Sequence, residues 1–225
     1  MKLAIFDFNG TIFPKETMPF ILNQWYKNKY SKYKLLKVFV PLIPLYLKYK
    51  MGLTSNLSKE EMEIEAVRGV SKIFTGMSKE EINNFFNRAV ISAKKFFNKP
   101  VVMEITECKK KGYHTVLLSG AYKPFLREVG ELLNIDTVIG SQFLYKDNCL
   151  NMISREGIIS GSNKLDKLQS FFKEHKIDWE NSKAYADSYH DLQLLKSVGK
   201  PVAVDPDFEL EKVAKSNNWR IIHCN

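Results

Sequence analysis

Residues 2–11 read KLAIFDFNGT, and this stretch decides the fold. A short apolar run from Lys2 to Phe6 ends in an acid, Asp7. A continuous apolar run of this length is typical of a parallel strand that is buried on both faces. The residues that follow, from Asn9 to Thr11, favour a turn. The sequence therefore predicts a buried strand with a carboxylate and a turn at its end.

The second half of the chain alternates between short apolar runs and helical patterns. The predicted strands cover residues 115–118, 137–139, 184–186, 202–204 and 220–222. The predicted helices cover residues 101–111, 124–133, 164–175, 191–196 and 208–215. Turn residues within an alternating region predict a hairpin or flap over residues 143–159. The alternation predicts an α/β fold in which helices cover both faces of a parallel sheet.

Residues 19–99 have a helical pattern. Two capping boxes, in which a serine precedes a glutamate by three residues, predict helices that begin just after Ser58 and Ser78. Pro41 and Pro44 are expected to break the helical pattern around them. We therefore predict a helical cap at residues 19–99, and a core at residues 1–18 and 100–225.

Composition narrows the classes of partner and compartment. The chain has 225 residues and a net charge of +9, which favours nucleic acid, membrane surfaces or phosphorylated substrates as partners. The lysines are spread along the chain, so the net charge alone does not indicate which of these three kinds of partner binds. Three cysteines without a C-x-x-C pair are typical of a reducing compartment, and a cytoplasmic location is expected. No signal peptide is predicted.

Four polar residues are predicted to meet at one edge of the sheet. Asp7, Ser119 and Asp187 each follow a predicted strand, and Lys164 begins a helix. Ligands of open parallel sheets bind beyond the carboxyl ends of the strands. Facing carboxylates repel each other, and a divalent cation such as Mg²⁺ removes that repulsion. Ser119 and Lys164 can then bind a phosphate group, with Lys167 as the rival of Lys164.

Four segments resemble the motifs of the haloacid dehalogenase superfamily. They are, in order, DFNGT at residues 7–11, LLSG at 117–120, GSNK at 161–164 and ADSYHD at 186–191. The first motif of that family is usually D-x-D-G-T, the second is a strand that ends in Ser or Thr, and the fourth is D-S-x-x-D. The PVAVDP segment and the helical insert between the first two motifs resemble the phosphoserine phosphatase-like branch, subfamily IB.

This resemblance implies a Rossmann-like core, an α-helical cap and a magnesium-dependent phosphomonoester hydrolase. Asp7 would be the nucleophile that forms an aspartyl-phosphate, and Ser119 and Lys164 would hold the phosphoryl group. Asp187 would bind Mg²⁺ directly, and Asp191 would support the metal site or Lys164. The other implied residues are Asn9, whose carbonyl would bind the metal, and Phe8, Gly10, Thr11, Gly120 and His190 beside the phosphate. His190 faces either the substrate or solvent.

Asn9 departs from the family pattern, which has a second Asp at this position. That Asp protonates the leaving oxygen and then activates water, whereas an amide cannot exchange protons at neutral pH. Loss of one acid–base group lowers turnover by roughly 10²–10⁴-fold. Asn9 is either an introduced substitution or a natural residue. The alternatives to a phosphatase are a catalytically impaired phosphate-ligand binding protein and a phosphotransferase.

Residues 25–49 combine aromatic residues with lysines. This pattern predicts a cap helix with a stripe that faces the core. The alternative is a surface that approaches membrane lipid or a large anionic substrate, with Lys29, Lys32 and Lys34 in contact. No nucleic-acid-binding motif accompanies the pattern, so nucleic acid is not an expected partner. A cap beside the site limits access, and the expected substrate is a small phosphorylated metabolite.

Overall fold

The computed structural model describes residues 1–50 and 59–224. Its strands are β1 (Leu3–Phe6), β2 (His114–Tyr122), β3 (Thr137–Ser141), β4 (Leu144–Lys146), β5 (Cys149–Met152), β6 (Lys183–Ala186), β7 (Lys200–Val204) and β8 (Arg220–Ile222). Six of them form one sheet in the order β3-β2-β1-β6-β7-β8, and each pairing is parallel. β4 and β5 form a separate antiparallel pair. The predicted α/β fold is confirmed.

Helices cover both faces of this sheet. They are α1 (Thr17–Lys27), α2 (Lys32–Lys50), α3 (Lys59–Ser71), α4 (Lys79–Ala93), α5 (Lys99–Lys110), α6 (Lys123–Leu133), α7 (Lys164–Phe171), α8 (Leu192–Lys196) and α9 (Phe208–Ser216). β1 is fully buried because its side chains alternate between the two layers. Ala4 and Phe6 pack in the hydrophobic cluster of α5 and α6, and Leu3 and Ile5 pack in that of α7 to α9.

The helices α1 to α4 lie between β1 and β2 in the chain, where the cap is predicted. Their aromatic side chains belong to the same hydrophobic cluster as one face of the sheet. The rings of Phe86 in α4 and Phe125 in α6 are 5.8 Å apart, and those of Phe13 and Phe20 are 5.1 Å apart. Apolar packing therefore continues from the sheet into the helical segment. The domain boundaries stay a prediction.

α2 runs without interruption from Lys32 to Lys50, so the expected break at Pro41 and Pro44 is wrong. A proline inside a helix removes a backbone hydrogen bond and bends the helix, but tertiary packing can keep the helical path. Val38 is fully buried and holds α2 against the other helices. The predicted core-facing stripe is correct only in part, because Tyr33 and several apolar residues after it are exposed.

Local sequence signals begin and end several helices as predicted. The capping box before α4 is confirmed, since the Ser78 hydroxyl accepts from the Glu81 N–H and the Glu81 carboxylate accepts from the Ser78 N–H. The other capping serine, Ser58, lies outside the described residues. After α5, Gly112 has a φ of +70° and its N–H donates to the Lys109 carbonyl at 3.0 Å. Glycine adopts the left-handed backbone conformation that commonly ends a helix.

The predicted hairpin is formed by β4 and β5. Asp147 and Asn148 join the strands with φ angles of +51° and +61°, as two-residue hairpin turns require. The Leu150 N–H donates to the Met77 carbonyl at 2.8 Å, and the Lys79 N–H donates to the Asn148 carbonyl at 3.0 Å. These bonds attach the hairpin to the chain just before α4.

Two predicted ends differ from the structure by more than two residues. β2 continues through Ser119 and Gly120, which the sequence predicts as its end, because Ala121 and Tyr122 after them are also buried in the core. Pairing with β3 is irregular between Leu118 and Tyr122. α7 ends at Phe171, four residues before the predicted end. In the described part of the chain no helix is long and apolar enough to cross a bilayer. The cytoplasmic location stays a prediction.

Candidate active site

Three carboxylates and one ammonium meet at the carboxyl edge of the sheet. Asp7 follows β1, Asp187 follows β6, and Asp191 lies in a short 3₁₀ turn before α8. Lys164 is the first residue of α7, and its Nζ lies 2.6 Å from Asp7 Oδ1 and 2.7 Å from Asp191 Oδ1. Lys167 does not reach them, because its Nζ donates to the Glu156 carbonyl at 2.7 Å. The structure thus brings together the predicted acids and Lys164.

Burial and crowding change the ionisation of these groups. Burial raises the pKa of Asp7 to about 6, although Lys164 opposes the shift. Burial, followed by the charges of Asp7 and Asp191, raises the pKa of Asp187 to about 8. Burial alone would lower the pKa of Lys164, but the carboxylates of Asp191 and Asp7 outweigh it and raise that pKa. One ammonium does not balance three carboxylates at this distance.

The residues present fit a divalent cation. Carboxylate oxygens of Asp7, Asp187 and Asp191 lie within 4.8 Å of one another. The Nζ of Lys164 lies 2.7 Å from Asp191 Oδ1 and 2.9 Å from Asp191 Oδ2, so this one ammonium is shared between Asp191 and Asp7. Oxygen ligands with surplus negative charge are those that Mg²⁺ prefers.

The turn after β1 fits closely against Asp187. Gly10 has a φ of +69°, and a Cβ atom there would lie 1.9 Å from Asp187 Oδ2. The Thr11 hydroxyl donates to Asp187 Oδ1 at 3.3 Å. The Phe8 side chain is buried against Phe13 and Phe125, with ring distances of 5.4 and 5.6 Å. The Phe8 side chain is therefore not at the site, and only the main-chain atoms of Phe8 can make the predicted contact with phosphate.

Ser119 and Gly120 lie in the neighbouring strand. Phe6 of β1 is opposite Leu117 of β2, so Ser119 lies at the same edge of the sheet as Asp7. The Ser119 hydroxyl is buried and accepts from the Ala121 N–H at 3.3 Å. A Cβ atom on Gly120 would lie 2.7 Å from the Ile159 carbonyl oxygen, so the chain before α7 approaches β2 closely.

The side chain of Asn9 is held from two sides by residues at the start of α1. Its Nδ2 donates to Glu16 Oε2 at 3.1 Å, and its Oδ1 accepts from the hydroxyl of buried Thr17. The amide is thus fixed by the first residues of the helical segment. Neither Glu16 nor Thr17 is among the residues that the sequence predicts for the site. Both residues follow the first motif closely and lie where a helical pattern begins. This position is the only feature of the sequence that could have indicated them.

His190 is exposed, although it lies in the same 3₁₀ turn as buried Asp191. It packs against Gly161, where an added Cβ would lie 2.9 Å from both the Cβ and the carbonyl oxygen of His190. His190 therefore lies at the rim of the site, beside the third motif.

Glu60 of α3 also reaches this rim. Its carboxylate accepts from the hydroxyl of Ser162 and from the Ser162 N–H at 3.3 Å. Hydrogen bonds from the hydroxyls of Ser160 and Ser162 lower the pKa of Glu60. Glu60 and Ser162 are 102 residues apart in sequence, so no local pattern predicts their contact. It joins the helical segment to the chain just before Lys164.

The model of the haloacid dehalogenase-like hydrolase family matches residues 4–196. The chain belongs to this family. The histidinol-phosphatase of Neisseria meningitidis serogroup C is 33% identical over 124 residues, which cover 50% of this chain and 52% of that protein. The chain spans about half the length of such curated relatives. A phosphoserine phosphatase of Methanocaldococcus jannaschii is 22% identical over 203 residues, which cover 90% of this chain and 84% of that protein.

Solved structures share the fold over nearly the whole chain. A protein of unknown function from Bordetella pertussis Tohama I has a TM-score of 0.77 at 16% identity, over 98% of this chain and 97% of that one. A phospho-aspartyl intermediate analogue of phosphoserine phosphatase has a TM-score of 0.60 at 19% identity, over 100% and 93%. At these identities the likeness shows the fold alone. Together with the phosphoserine phosphatases among the sequence relatives, it agrees with the predicted branch, subfamily IB.

Proposed function

We propose that the chain is a phosphomonoester hydrolase that forms an aspartyl-phosphate on Asp7. The observation that carries the proposal is the position of Lys164 Nζ, 2.6 Å from Asp7 and within 3 Å of Asp191, with Asp187 beside them. A buried ammonium that already faces the nucleophile can neutralise a phosphoryl group at the same place. The family and its phosphatase relatives support this assignment.

Asp7, Asp187, Asp191 and the main-chain carbonyl of Asn9 are the residues that would hold Mg²⁺. When bound, the metal neutralises negative charge on the carboxylates and on the phosphoryl oxygens. Thr11 and Gly10 keep Asp187 in place, through the hydroxyl contact of 3.3 Å and the absence of a side chain. Asp191 also positions Lys164 by its ion pair.

In the first step a carboxylate oxygen of Asp7 forms a bond to phosphorus, and the bond from phosphorus to the ester oxygen breaks. The leaving oxygen keeps the electron pair and takes a proton from water, because the amide of Asn9 has no acidic proton to give. Lys164 and Ser119 bind the phosphoryl oxygens. In the second step water attacks the same phosphorus, the Asp7 oxygen leaves, and phosphate is released with the protons of that water.

Turnover is slow in this scheme because of Asn9. Restoring a carboxylate by Asn9→Asp would place it where the amide nitrogen is now 3.1 Å from Glu16. Two carboxylates at this distance share a proton, which raises the pKa of one of them. A raised pKa suits a general acid, so Glu16 would assist the restored residue.

The first test is hydrolysis of an aryl phosphate with and without Mg²⁺, in the present chain and in Asn9→Asp. We expect a gain of roughly 10²–10⁴-fold in the variant, because one acid–base group is recovered. Asn148→Asp, in the hairpin turn, is the matched control for the added charge and should give no gain. Asp7→Asn in the Asn9→Asp background should abolish hydrolysis.

Two other results would change the proposal. Equal, robust activity in both chains would mean that another group supplies the acid–base function. Absence of activity in both would favour the second candidate, a phosphate-ligand binding protein. The observation that favours this candidate is Asn9 itself, which is held by Glu16 and Thr17 and leaves binding groups intact. A small phosphorylated metabolite is the proposed ligand in either case.

A further inference from the structure

One face of α2 is apolar and exposed. Its five residues, which we name the α2 stripe, follow spacings of three and four: Tyr33, Leu36, Val40, Ile43 and Leu47. Residues at these spacings share one side of a helix. Each is between 48% and 64% exposed, whereas Val38 on another side of the same helix is fully buried. α2 therefore has a buried face that holds it to the protein and an apolar face without a partner within the described residues.

The chain around the α2 stripe is strongly basic. From Thr17 to Lys50 it contains seven lysines and no aspartate or glutamate. The Nζ of Lys37 lies 4.7 Å from the ring centre of Tyr33, and that of Lys32 lies 5.8 Å from the ring centre of exposed Tyr26. Ammonium groups and exposed aromatic rings thus lie beside the apolar stripe.

Contiguous exposed apolar residues mark a binding surface, and the charges around them decide the partner. A second copy of the chain would bring this acid-free segment against itself, so that lysine would face lysine. A membrane with anionic lipids offers acyl chains to the α2 stripe and negative headgroups to the lysines. Of these two partners, the membrane is the one that satisfies the apolar and the charged groups together.

We propose that the α2 stripe and its lysines dock the protein on a membrane surface that contains anionic lipid. α2 lies in the plane of that surface, with the stripe among the outer acyl-chain segments and Lys32 and Lys37 at the headgroups. The inference does not depend on the reaction at Asp7, because docking is measured without turnover.

The test is co-sedimentation of the full chain with vesicles. One set contains equal parts of phosphatidylcholine and phosphatidylglycerol, and the other contains phosphatidylcholine alone. We expect binding to the anionic vesicles that weakens as salt is added, because the lysine contribution is screened. Lys32→Glu with Lys37→Glu should weaken binding at least 25-fold, since each juxtamembrane lysine contributes roughly a factor of five.

The apolar contribution has its own variant. Leu36→Glu with Ile43→Glu should weaken binding at least 10-fold, because a charge on the buried side of an interfacial helix opposes insertion. The matched apolar control is Met103→Glu with Phe208→Glu, two exposed residues of α5 and α9. The matched basic control is Lys196→Glu with Lys212→Glu. Circular dichroism and thermal unfolding check that each variant folds, and Leu36→Ser repeats the test without adding charge.

Binding that is lost in the α2 variants and retained in both controls supports the proposal. Three results with vesicles would overturn it: equal binding to both kinds of vesicle, equal loss in the controls, or no vesicle binding by the unaltered chain. If the unaltered chain is instead a dimer in size-exclusion chromatography and Leu36→Glu with Ile43→Glu makes it a monomer, the stripe binds a second copy and the membrane proposal is wrong.

Discussion

Lys164 and Leu36 lie in environments opposite to those that their side chains favour. Lys164 is buried between Asp7 and Asp191, whereas Leu36 is more than half exposed on α2. A buried charge and a contiguous exposed apolar surface are each unfavourable for the isolated folded chain. The comparison teaches where each proposed partner would relieve an unfavourable environment: a phosphate group and Mg²⁺ beside Lys164, and an anionic membrane surface at Leu36.

The largest effect is expected from Lys164→Met, which tests the buried half of the comparison. Asp7 and Asp191 would lose their buried cationic partner, and breaking such a pair lowers the free energy of unfolding by about 3–5 kcal/mol. Urea unfolding at neutral pH with a chelator present measures the loss. Mg²⁺ should recover part of the stability, because a cation then returns to the carboxylates.

Lys167→Met is the matched control for that experiment. Lys167 is one turn away, and among the described residues its ammonium donates only to the Glu156 carbonyl, so its loss should change the unfolding free energy by no more than about 1 kcal/mol. Equal losses in the two variants would show that the charge cluster is not what makes Lys164 important to the fold.

A smaller effect is expected from Gly10→Ala. Alanine at φ +69° is strained by about 1–2 kcal/mol, and its Cβ would collide with the Asp187 carboxylate. Displacement of that ligand should weaken Mg²⁺ binding by roughly 10–100-fold, as loss of ligand support does elsewhere. Isothermal titration calorimetry with Mg²⁺ measures the affinity.

Gly76→Ala separates the effect of backbone strain from the effect of the collision with Asp187. Gly76 has a φ of +79°, and a Cβ atom there meets nothing within 4 Å. The Gly76→Ala variant should therefore have the same backbone strain as Gly10→Ala, while its Mg²⁺ affinity stays unchanged. A Gly10→Ala chain that binds Mg²⁺ as tightly as Gly76→Ala would argue against Asp187 as a metal ligand.

The smallest effect concerns the exposed half of the comparison. Leu36→Ser should change the unfolding free energy by less than about 0.5 kcal/mol, because the side chain contacts solvent. Val38→Ala on the buried face should lower it by about 2 kcal/mol through lost burial and a cavity. Thermal and urea unfolding of the two variants measure both. A large loss in Leu36→Ser would mean that the stripe is part of the folded core.

Much of the site could be predicted from the sequence. Asp7 and Asp187 follow short apolar runs, and Lys164 begins a helical pattern, so local residue order places all three at one edge of a parallel sheet. Ser119 was harder to place, because β2 continues through it. The choice between Lys164 and Lys167 required the path of α7, which directs only the first of them toward Asp7.

The sequence alone determined the strands of the parallel sheet, the capping of α4, the hairpin turn and the order of the four motifs. These features depend on residues that are close together in the chain. Only the tertiary structure decided that Asn9 contacts Glu16 and Thr17, that Glu60 meets Ser162, and that α2 continues through two prolines with an apolar face exposed. These features depend on how whole helices pack against the sheet and against one another, and hydrophobic periodicity does not say which apolar face of a helix the core will cover.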